Sequence, residues 1–160
     1  LLIVLFMFIS FRLNYLKFSV SILSIIILLS IPLFSFFDQK KIFKLDNNWV
    51  DFKEVNIKEM IKNNENIFID ITADWCATCQ FNKINILDNT KIKNLFNKNE
   101  IKLVRADWTK PDKNIDIFLK KFNKFGIPFN AFFSSKYPDG IIMSEILTEN
   151  EIIKSIEKLK

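Results

Sequence analysis

The only two cysteines of the chain, Cys76 and Cys79, are three positions apart and follow directly on an apolar, β-branched run. The run is typical of a buried strand, and the residues after the pair have helical periodicity. Cys76 is therefore expected at a helix N-terminus, where unpaired N–H groups and the macrodipole favour a thiolate. Because the thiolate is the nucleophile of disulfide exchange, and a second thiol can attack the mixed disulfide, the motif predicts thiol–disulfide chemistry.

Three other roles for the cysteine pair are less favoured. A zinc site needs about four ligands, and the chain has no histidine and no third cysteine. A purely structural disulfide across so short a loop would restrict the unfolded chain little, and two inert buried thiols would have no role in exchange. We therefore expect no metal and no cofactor other than the redox-active disulfide, with Cys76 exposed and Cys79 covered.

The N-terminal part of the sequence predicts a membrane segment. Residues 18–37 form a run of 20 residues without a charge, which as a helix would span about 30 Å, the hydrocarbon thickness of a bilayer. Residues 1–11 resemble the end of an earlier apolar helix. A signal peptide is the alternative, but the run is too long and no small-residue cleavage site follows it. We interpret residues 1–37 as the C-terminal part of a membrane domain, in a chain that is a piece of a longer protein because it begins with Leu.

The charges flanking residues 18–37 leave the orientation of this helix open. Arg12 and Lys17 favour a cytoplasmic loop before it, which would send the rest of the chain outside. Lys40, Lys41 and Lys44 flank its other end and favour the opposite orientation.

The positive charge of the chain does not predict a nucleic-acid partner. The formal net charge is +5, and beyond residue 37 the sequence has 21 basic and 18 acidic residues. A nucleic-acid interface would require Lys and Arg clustered on one element, whereas here they are spread along the chain.

Residues 38–48 are interpreted as a polar linker, and residues 49–160 as an α/β domain. Pro138 and Gly140 mark a turn between the last two strands, and Thr148 and Glu151 have capping-box spacing before a final helix. Strands are predicted over residues 49–53, 66–72, 101–107, 128–134 and 141–146, and helices over residues 57–62, 76–87, 92–96, 114–125 and from 149 onward.

Three motifs carry a resemblance to a known family: Thr-Ala-Asp-Trp-Cys-Ala-Thr-Cys at 72–79, Ala-Asp-Trp-Thr at 106–109 and Phe-Gly-Ile-Pro at 125–128. Residues 49–160 resemble a thioredoxin-fold domain and, more narrowly, the C-terminal domain of the membrane thiol:disulfide interchange reductases, the DsbD family. The resemblance implies a central mixed sheet flanked by helices and preceded by a transmembrane helix. It also implies a bacterial inner-membrane protein whose membrane domain donates electrons to this domain, which then reduces disulfide-bearing partners in the periplasm.

The resemblance assigns roles around the cysteine pair. Cys76 matches the attacking thiol and Cys79 the resolving thiol. Trp75 matches the aromatic residue that shields the site, although a plain core tryptophan is the alternative.

Further residues match the family at a distance from the pair in sequence. Ile127 and Pro128 match the cis X-Pro bond that faces the cysteines, the alternative being a trans proline at a strand start. Asp70 matches a buried acid that would accept a proton from Cys79, and burial would raise its pKa. The alternative for Asp70 is a partly solvated aspartate at a strand end.

One position departs from the family pattern. The family often has Glu one helical turn after the second cysteine, where this chain has Lys83, and a cation there would favour thiolates. Asp107, Trp108 and Thr109 are expected to be packing and turn residues.

The residues between the cysteines favour a reductant. Ala77 and Thr78 supply no cation, and strong oxidants of this kind depend on a heavily stabilised reduced form. The favoured function is therefore a membrane-anchored protein-disulfide reductase. The alternatives are a singly anchored thioredoxin-like reductant for cytochrome c maturation, and a non-catalytic thioredoxin-fold interaction module.

Overall fold

A computed structural model describes residues 48–160, so the predicted membrane segments 1–11 and 18–37, and nearly all of the linker, lie outside the described residues. Within residues 48–160, none of the helices has the length and apolar character needed to cross a bilayer. The strands are β1 (Trp49–Asp51), β2 (Ile67–Thr72), β3 (Lys102–Asp107), β4 (Phe129–Phe133) and β5 (Ile141–Ile142). The helices are α1 (Ile57–Lys62), α2 (Ala77–Asn82), α3 (Thr90–Lys98), α4 (Lys113–Lys120) and α5 (Glu149–Leu159), with a 3-10 turn at Phe52–Glu54 and a π-helical turn at Lys83–Leu87.

The five strands form one mixed sheet in the order β1-β3-β2-β4-β5. Strand β3 runs parallel to both β1 and β2, whereas β4 runs antiparallel to β2 and β5. Helical segments connect β1 to β2, β2 to β3 and β3 to β4, whereas a turn connects the antiparallel strands β4 and β5. This is the mixed sheet flanked by helices that the sequence predicts.

Strand β2 lies at the centre of the sheet and is buried along its whole length. Ile67, Ile69 and Ile71 pack on the face that α1 and α4 cover. Phe68 packs on the other face, against residues of α3 and α5. A strand covered on both faces has no solvent side, which explains the nearly continuous apolar run in the sequence.

The turn between β4 and β5 is the one that Pro138 and Gly140 predict. Gly140 has φ +81°, a conformation that only glycine adopts readily. A Cβ atom at this position would also lie 2.6 Å from Cε1 of Phe133. Glycine is therefore required at this turn on both grounds.

Three predicted elements end earlier in the structure. β1 stops at Asp51, whose side chain accepts a hydrogen bond from the N–H of Lys53 and starts the 3-10 turn. Helix α4 ends at Lys120 and not near residue 125, because the following residues turn through Asn123 at φ +54°.

β5 ends at Ile142 and not at residue 146. The N–H of Ser144 donates to Oε1 of Glu151 at 2.8 Å, so the backbone here bonds to helix α5. Thr148 caps α5 as predicted, since its Oγ1 accepts from the N–H of Glu151. The Glu151 side chain, however, bonds to Ser144 and does not complete the capping box.

Candidate active site

The cysteine pair lies where β2 leads into α2. Cys76 is the N-cap residue of α2, and its Sγ accepts a hydrogen bond from the N–H of Cys79 at 3.2 Å. The two residues form a disulfide. The predicted position of the first cysteine at a helix N-terminus is therefore confirmed.

The expectation that Cys76 is exposed is wrong for this disulfide form. Cys76 is 7% exposed and Cys79 is 3% exposed. Ala73 and Ile127 pack against the pair. The order of accessibility is still the predicted one, with the first cysteine less covered than the second.

The peptide bond between Ile127 and Pro128 is cis, which excludes the alternative of a trans proline at this strand start. The bond immediately precedes β4, which pairs with β2 so that Phe129 lies opposite Ile71. This pairing brings the Ile127 side chain from a distant part of the sequence onto the cysteine pair.

Trp75 lies on the surface beside the disulfide. Its side chain is 64% exposed, so it is not a core tryptophan. Its Nε1–H donates to the backbone oxygen of Thr109 at 3.2 Å, and the N–H of Asp74 donates to Oγ1 of Thr109 at 3.0 Å. The N–H of Thr109 in turn donates to Oδ1 of Asp107 at 2.8 Å. These bonds join the loop before Cys76 to the loop after β3, so Asp107 and Thr109 act as turn residues.

Asp70 is buried in β2, with 4% of the residue exposed, which excludes a partly solvated strand end. Its Oδ2 accepts a hydrogen bond from Nε–H of Arg105 at 2.9 Å. Burial raises the pKa of the Asp70 carboxyl, and the charge and hydrogen bond of Arg105 oppose that rise. The role of Asp70 as proton acceptor stays a prediction.

The sequence reasoning missed three buried polar residues near the site. Arg105 lies on β3 and Asn130 on β4, each directly opposite Asp70 across the sheet. Asn82 ends α2 and accepts from the N–H of Leu147 at 3.0 Å, while its amide donates to the backbone oxygen of Glu145 at 2.7 Å. A charged residue inside an apolar strand, as Arg105 is, was the available signal, because such residues are rarely buried without a partner.

Lys83 lies one turn after Cys79, as expected. Its backbone N–H donates to the carbonyl oxygens of Cys79 and Gln80, and it is the first residue of the π-helical turn. The side chain is half-buried, and its charge helps to lower the pKa of Asp70 against the dominant effect of burial. Lys83 therefore acts electrostatically on Asp70.

In the described part of the chain, no group of three or more His, Cys, Asp or Glu side chains is arranged to hold a metal ion. The group available for redox chemistry at this site is the disulfide itself. Reducing it would yield two thiols, at Cys76 and Cys79.

Comparisons with known proteins agree with this geometry. A family model described as thioredoxin-like matches residues 48–135. The thiol:disulfide interchange protein DsbD of Yersinia pestis (strain Pestoides F) is 35% identical over 71 residues, which cover 44% of this chain and 11% of that protein. DsbD of Campylobacter jejuni (strain RM1221) is 26% identical over 112 residues, which cover 69% of this chain and 18% of that protein. The chain thus spans less than a fifth of the length of these relatives.

Solved structures show the same fold. The oxidised C-terminal domain of Neisseria meningitidis DsbD superposes with a TM-score of 0.52 at 18% identity, covering 65% of this chain and 90% of that one. A thioredoxin from Thermus thermophilus gives a TM-score of 0.53 at 13% identity, covering 70% and 85%. The chain belongs to the thioredoxin-like family.

Proposed function

We propose that this chain is the electron-delivering part of a membrane-anchored protein-disulfide reductase. It would receive electrons from a membrane electron-donor domain of the same protein and pass them to periplasmic proteins that carry disulfides. The observation that carries the proposal is the Cys76–Cys79 disulfide at the start of α2, packed against Ile127 beside a cis proline. The similarity to proteins named thiol:disulfide interchange protein DsbD supports it.

In the proposed reaction the dithiol form transfers two electrons to a partner. The Cys76 thiolate attacks one sulfur of the partner disulfide, the S–S bond breaks, and the other partner sulfur leaves as a thiolate. Cys79 then loses its proton and attacks Sγ of Cys76 in the mixed disulfide. The partner leaves with both sulfurs reduced and protonated from solvent, and the Cys76–Cys79 disulfide is restored.

Exposed aromatic side chains within five residues of the cysteines or of Ile127 in the sequence support a protein partner. Trp75 and Phe125 are 64% and 79% exposed, and Phe81 on α2 is 50% exposed. Aromatic residues supply much of the binding energy at protein interfaces. We infer that the partner's cysteine-bearing segment contacts these aromatic side chains.

The membrane location is proposed from the uncharged run 18–37 together with the family resemblance. In this arrangement the chain would be held at the bacterial inner membrane, and residues 49–160 would act in the periplasm.

The direction of electron flow gives a measurable prediction. We expect the reduction potential of the Cys76–Cys79 pair to lie well below the value of about −120 mV of a strongly oxidising periplasmic thiol oxidase. The reason is that no histidine is present in the chain and Ala77 and Thr78 add no charge that would stabilise the reduced form. Equilibrating the full chain in detergent with glutathione, and quantifying the thiols, measures the potential. A value near −120 mV would contradict the reductant role.

Lys83 gives a second prediction. We expect Lys83→Glu to raise the pKa of the site thiols by about one unit, because a half-buried cation one turn from Cys79 is replaced by an anion. Attack on a disulfide near neutral pH should slow accordingly. Titrating the thiolates of the reduced protein by their ultraviolet absorbance gives the pKa values.

Two variants control for nonspecific charge effects. Lys83→Gln removes the cation without adding an anion and should give an intermediate shift. Lys120→Glu makes the same charge change at an exposed position of α4, the helix that covers the opposite face of the sheet. This variant should leave the thiol titration unchanged. Equal titration curves for Lys83→Glu and the unmodified chain would show that Lys83 does not act on the thiols.

A further inference from the structure

The side-chain amide of Asn130, on β4, is buried and has no hydrogen-bond partner within residues 48–160. The residue is 1% exposed, and both its Nδ2 and its Oδ1 are in this state. Buried polar atoms are nearly always paired, because burial removes their hydrogen bonds to water. An unpaired amide inside a sheet therefore calls for a physical explanation.

Asn130 lies directly opposite Asp70 on the antiparallel strands β4 and β2. Directly opposite residues of such a pair point to the same face of the sheet, with Cβ atoms about 4.5–5.5 Å apart. The neighbouring pair on this face, Phe68 and Phe132, has ring centres 4.8 Å apart. The amide of Asn130 and the carboxyl of Asp70 are therefore neighbours on one buried face.

The backbone of Asn130 is held on two sides, whereas its side chain can turn. β4 pairs with β2 on one side, and on the other the carbonyl oxygen of Asn130 accepts a hydrogen bond from the N–H of Met143 at 2.9 Å. The terminal torsion of an asparagine side chain is broad. The amide can therefore turn towards Asp70 while the strand stays in place.

The surroundings of Asp70 favour a carboxyl that changes its ionisation state. Burial is the largest influence and raises the pKa of Asp70, while the charge and hydrogen bond of Arg105 and the charge of Lys83 oppose the rise and Asp88 adds to it. The Nε–H of Arg105 donates to Oδ2 at 2.9 Å, which uses one of about four acceptor positions of a carboxylate. A partner for the ionised and the protonated form is thus needed at the same buried place.

We propose that Asn130 is a positioning residue of the redox site, whose side-chain amide is the hydrogen-bond partner of the Asp70 carboxyl in both of its ionisation states. The Nδ2–H of Asn130 donates to Asp70 when Asp70 is a carboxylate, and Oδ1 of Asn130 accepts from Asp70 when it is a carboxylic acid. A side-chain amide offers both a donor and an acceptor, so turning the amide exchanges one bond for the other.

This partner acts when Cys79 resolves the mixed disulfide. As Cys79 attacks Sγ of Cys76, its thiol proton passes to the Asp70 carboxylate, and the bond to the partner sulfur breaks. The partner sulfur leaves as a thiolate and takes up a proton from solvent, and Asp70 afterwards releases its proton to solvent. The inference rests on the proposed function through the disulfide exchange and not through the direction of electron flow. A potential that overturned the reductant proposal would therefore leave the tests below untouched.

The direct test uses NMR on the unmodified, oxidised full chain in detergent, where no thiol titrates. The Asp70 carboxyl carbon is identified by its loss in Asp70→Asn, and the side-chain amide of Asn130 by its loss in Asn130→Thr. We expect the amide signals of Asn130 to shift with pH at the same midpoint as the Asp70 carbon. Amide signals that stay constant while Asp70 titrates would overturn the proposal. So would an Asp70 carboxyl that keeps one ionisation state between about pH 4 and 9, a range that includes the pKa values of documented buried acids.

A matched pair of variants tests the hydrogen bond itself. Asn130→Val removes both polar atoms, whereas Asn130→Thr has nearly the same shape and keeps a hydroxyl that can donate and accept. Because a hydrogen bond to a charged group is the stronger one, its loss in Asn130→Val should raise the Asp70 midpoint by about one unit. Asn130→Thr should stay closer to the unmodified chain. Both residues are β-branched and suit a strand, and equal Asp70 midpoints in the two variants would overturn the proposal.

The reaction supplies a readout that a merely structural role of Asn130 would not move. The reduced chain attacks the aryl disulfide dithiobis(nitrobenzoate) through Cys76, and the attack by Cys79 then releases a second coloured thiolate. In Asn130→Val the pH profile of this second release should move to higher pH by the same amount as the Asp70 midpoint, and Asn130→Thr should largely restore it. A profile that does not follow the Asp70 midpoint would contradict the role of Asn130 in the resolving step.

Discussion

Replacing Cys79 with Ser is expected to make the protein accumulate mixed disulfides with its partners, whereas replacing Cys76 with Ser is not. Cys76 caps α2 and is the less covered of the two cysteines, so it is placed for the first attack. Without Cys79 no thiol can release the partner, and the covalent complex persists. Incubating each reduced variant with insulin as a model disulfide protein, followed by non-reducing electrophoresis, measures the complex.

The Cys76→Ser variant is the matched control because it also retains one thiol. Its remaining thiol belongs to Cys79, a residue that is only 3% exposed. We expect Cys76→Ser to form at least about tenfold less mixed disulfide than Cys79→Ser. A tenfold difference is what a thiol pKa higher by one unit would cause through the thiolate fraction. Steric cover would reduce it further. More complex with Cys76→Ser than with Cys79→Ser would reverse the assignment of nucleophile and resolving thiol.

Phe68→Ala is expected to lower the free energy of unfolding by about 3–5 kcal/mol. Phe68 is fully buried in β2, and its ring centre lies 4.8 Å from that of Phe132 and 5.2 Å from that of Phe96. Truncation removes these contacts and leaves a cavity on the face of the sheet that also holds Asp70. Since domains are stable by about 5–15 kcal/mol in total, this loss is a large fraction of the stability of the domain. Guanidinium unfolding followed by tryptophan fluorescence measures the loss.

Phe125→Ala is the matched control for this stability measurement. It deletes the same atoms from a side chain that is 79% exposed, and exposed substitutions usually change stability by no more than about 0.5 kcal/mol. Equal destabilisation by the two variants would contradict the assignment of Phe68 to the core.

Much of the fold could be predicted because the hydrophobic pattern is strong where burial is complete. Strands β2 and β3 each start one residue later than predicted and end at the predicted residue. Elements at the edges agreed less well. The sequence predicts longer segments for β5 and α4 than the structure has, because apolar residues continue beyond the hydrogen-bonded segment of each element. At β5, the hydrogen bond from the N–H of Ser144 to Glu151 replaces further strand pairing.

The π-helical turn Lys83–Leu87 could not be predicted from the sequence pattern either. The pattern predicts one continuous helix over residues 76–87, since apolar spacing hardly distinguishes an α-helical turn from a π-helical one. In the structure the N–H of Asp88 donates to the carbonyl oxygen of Lys83 at 2.8 Å, one residue further back than in an α-helix. This turn carries Lys83, so the local geometry bears on the site.

The sequence alone determined the chemistry of the site, because the Cys-x-x-Cys spacing brings two sulfurs together at one helix start whatever the rest of the chain does. It also indicated the cis proline through its resemblance to a known family. Only the tertiary structure decided which polar groups lie beside Asp70. Asp70, Arg105 and Asn130 are up to 60 positions apart in the sequence, and the strand order β3-β2-β4 alone makes them neighbours. Register across a sheet is set by packing of whole strands, and no local pattern around any one of these residues encodes it.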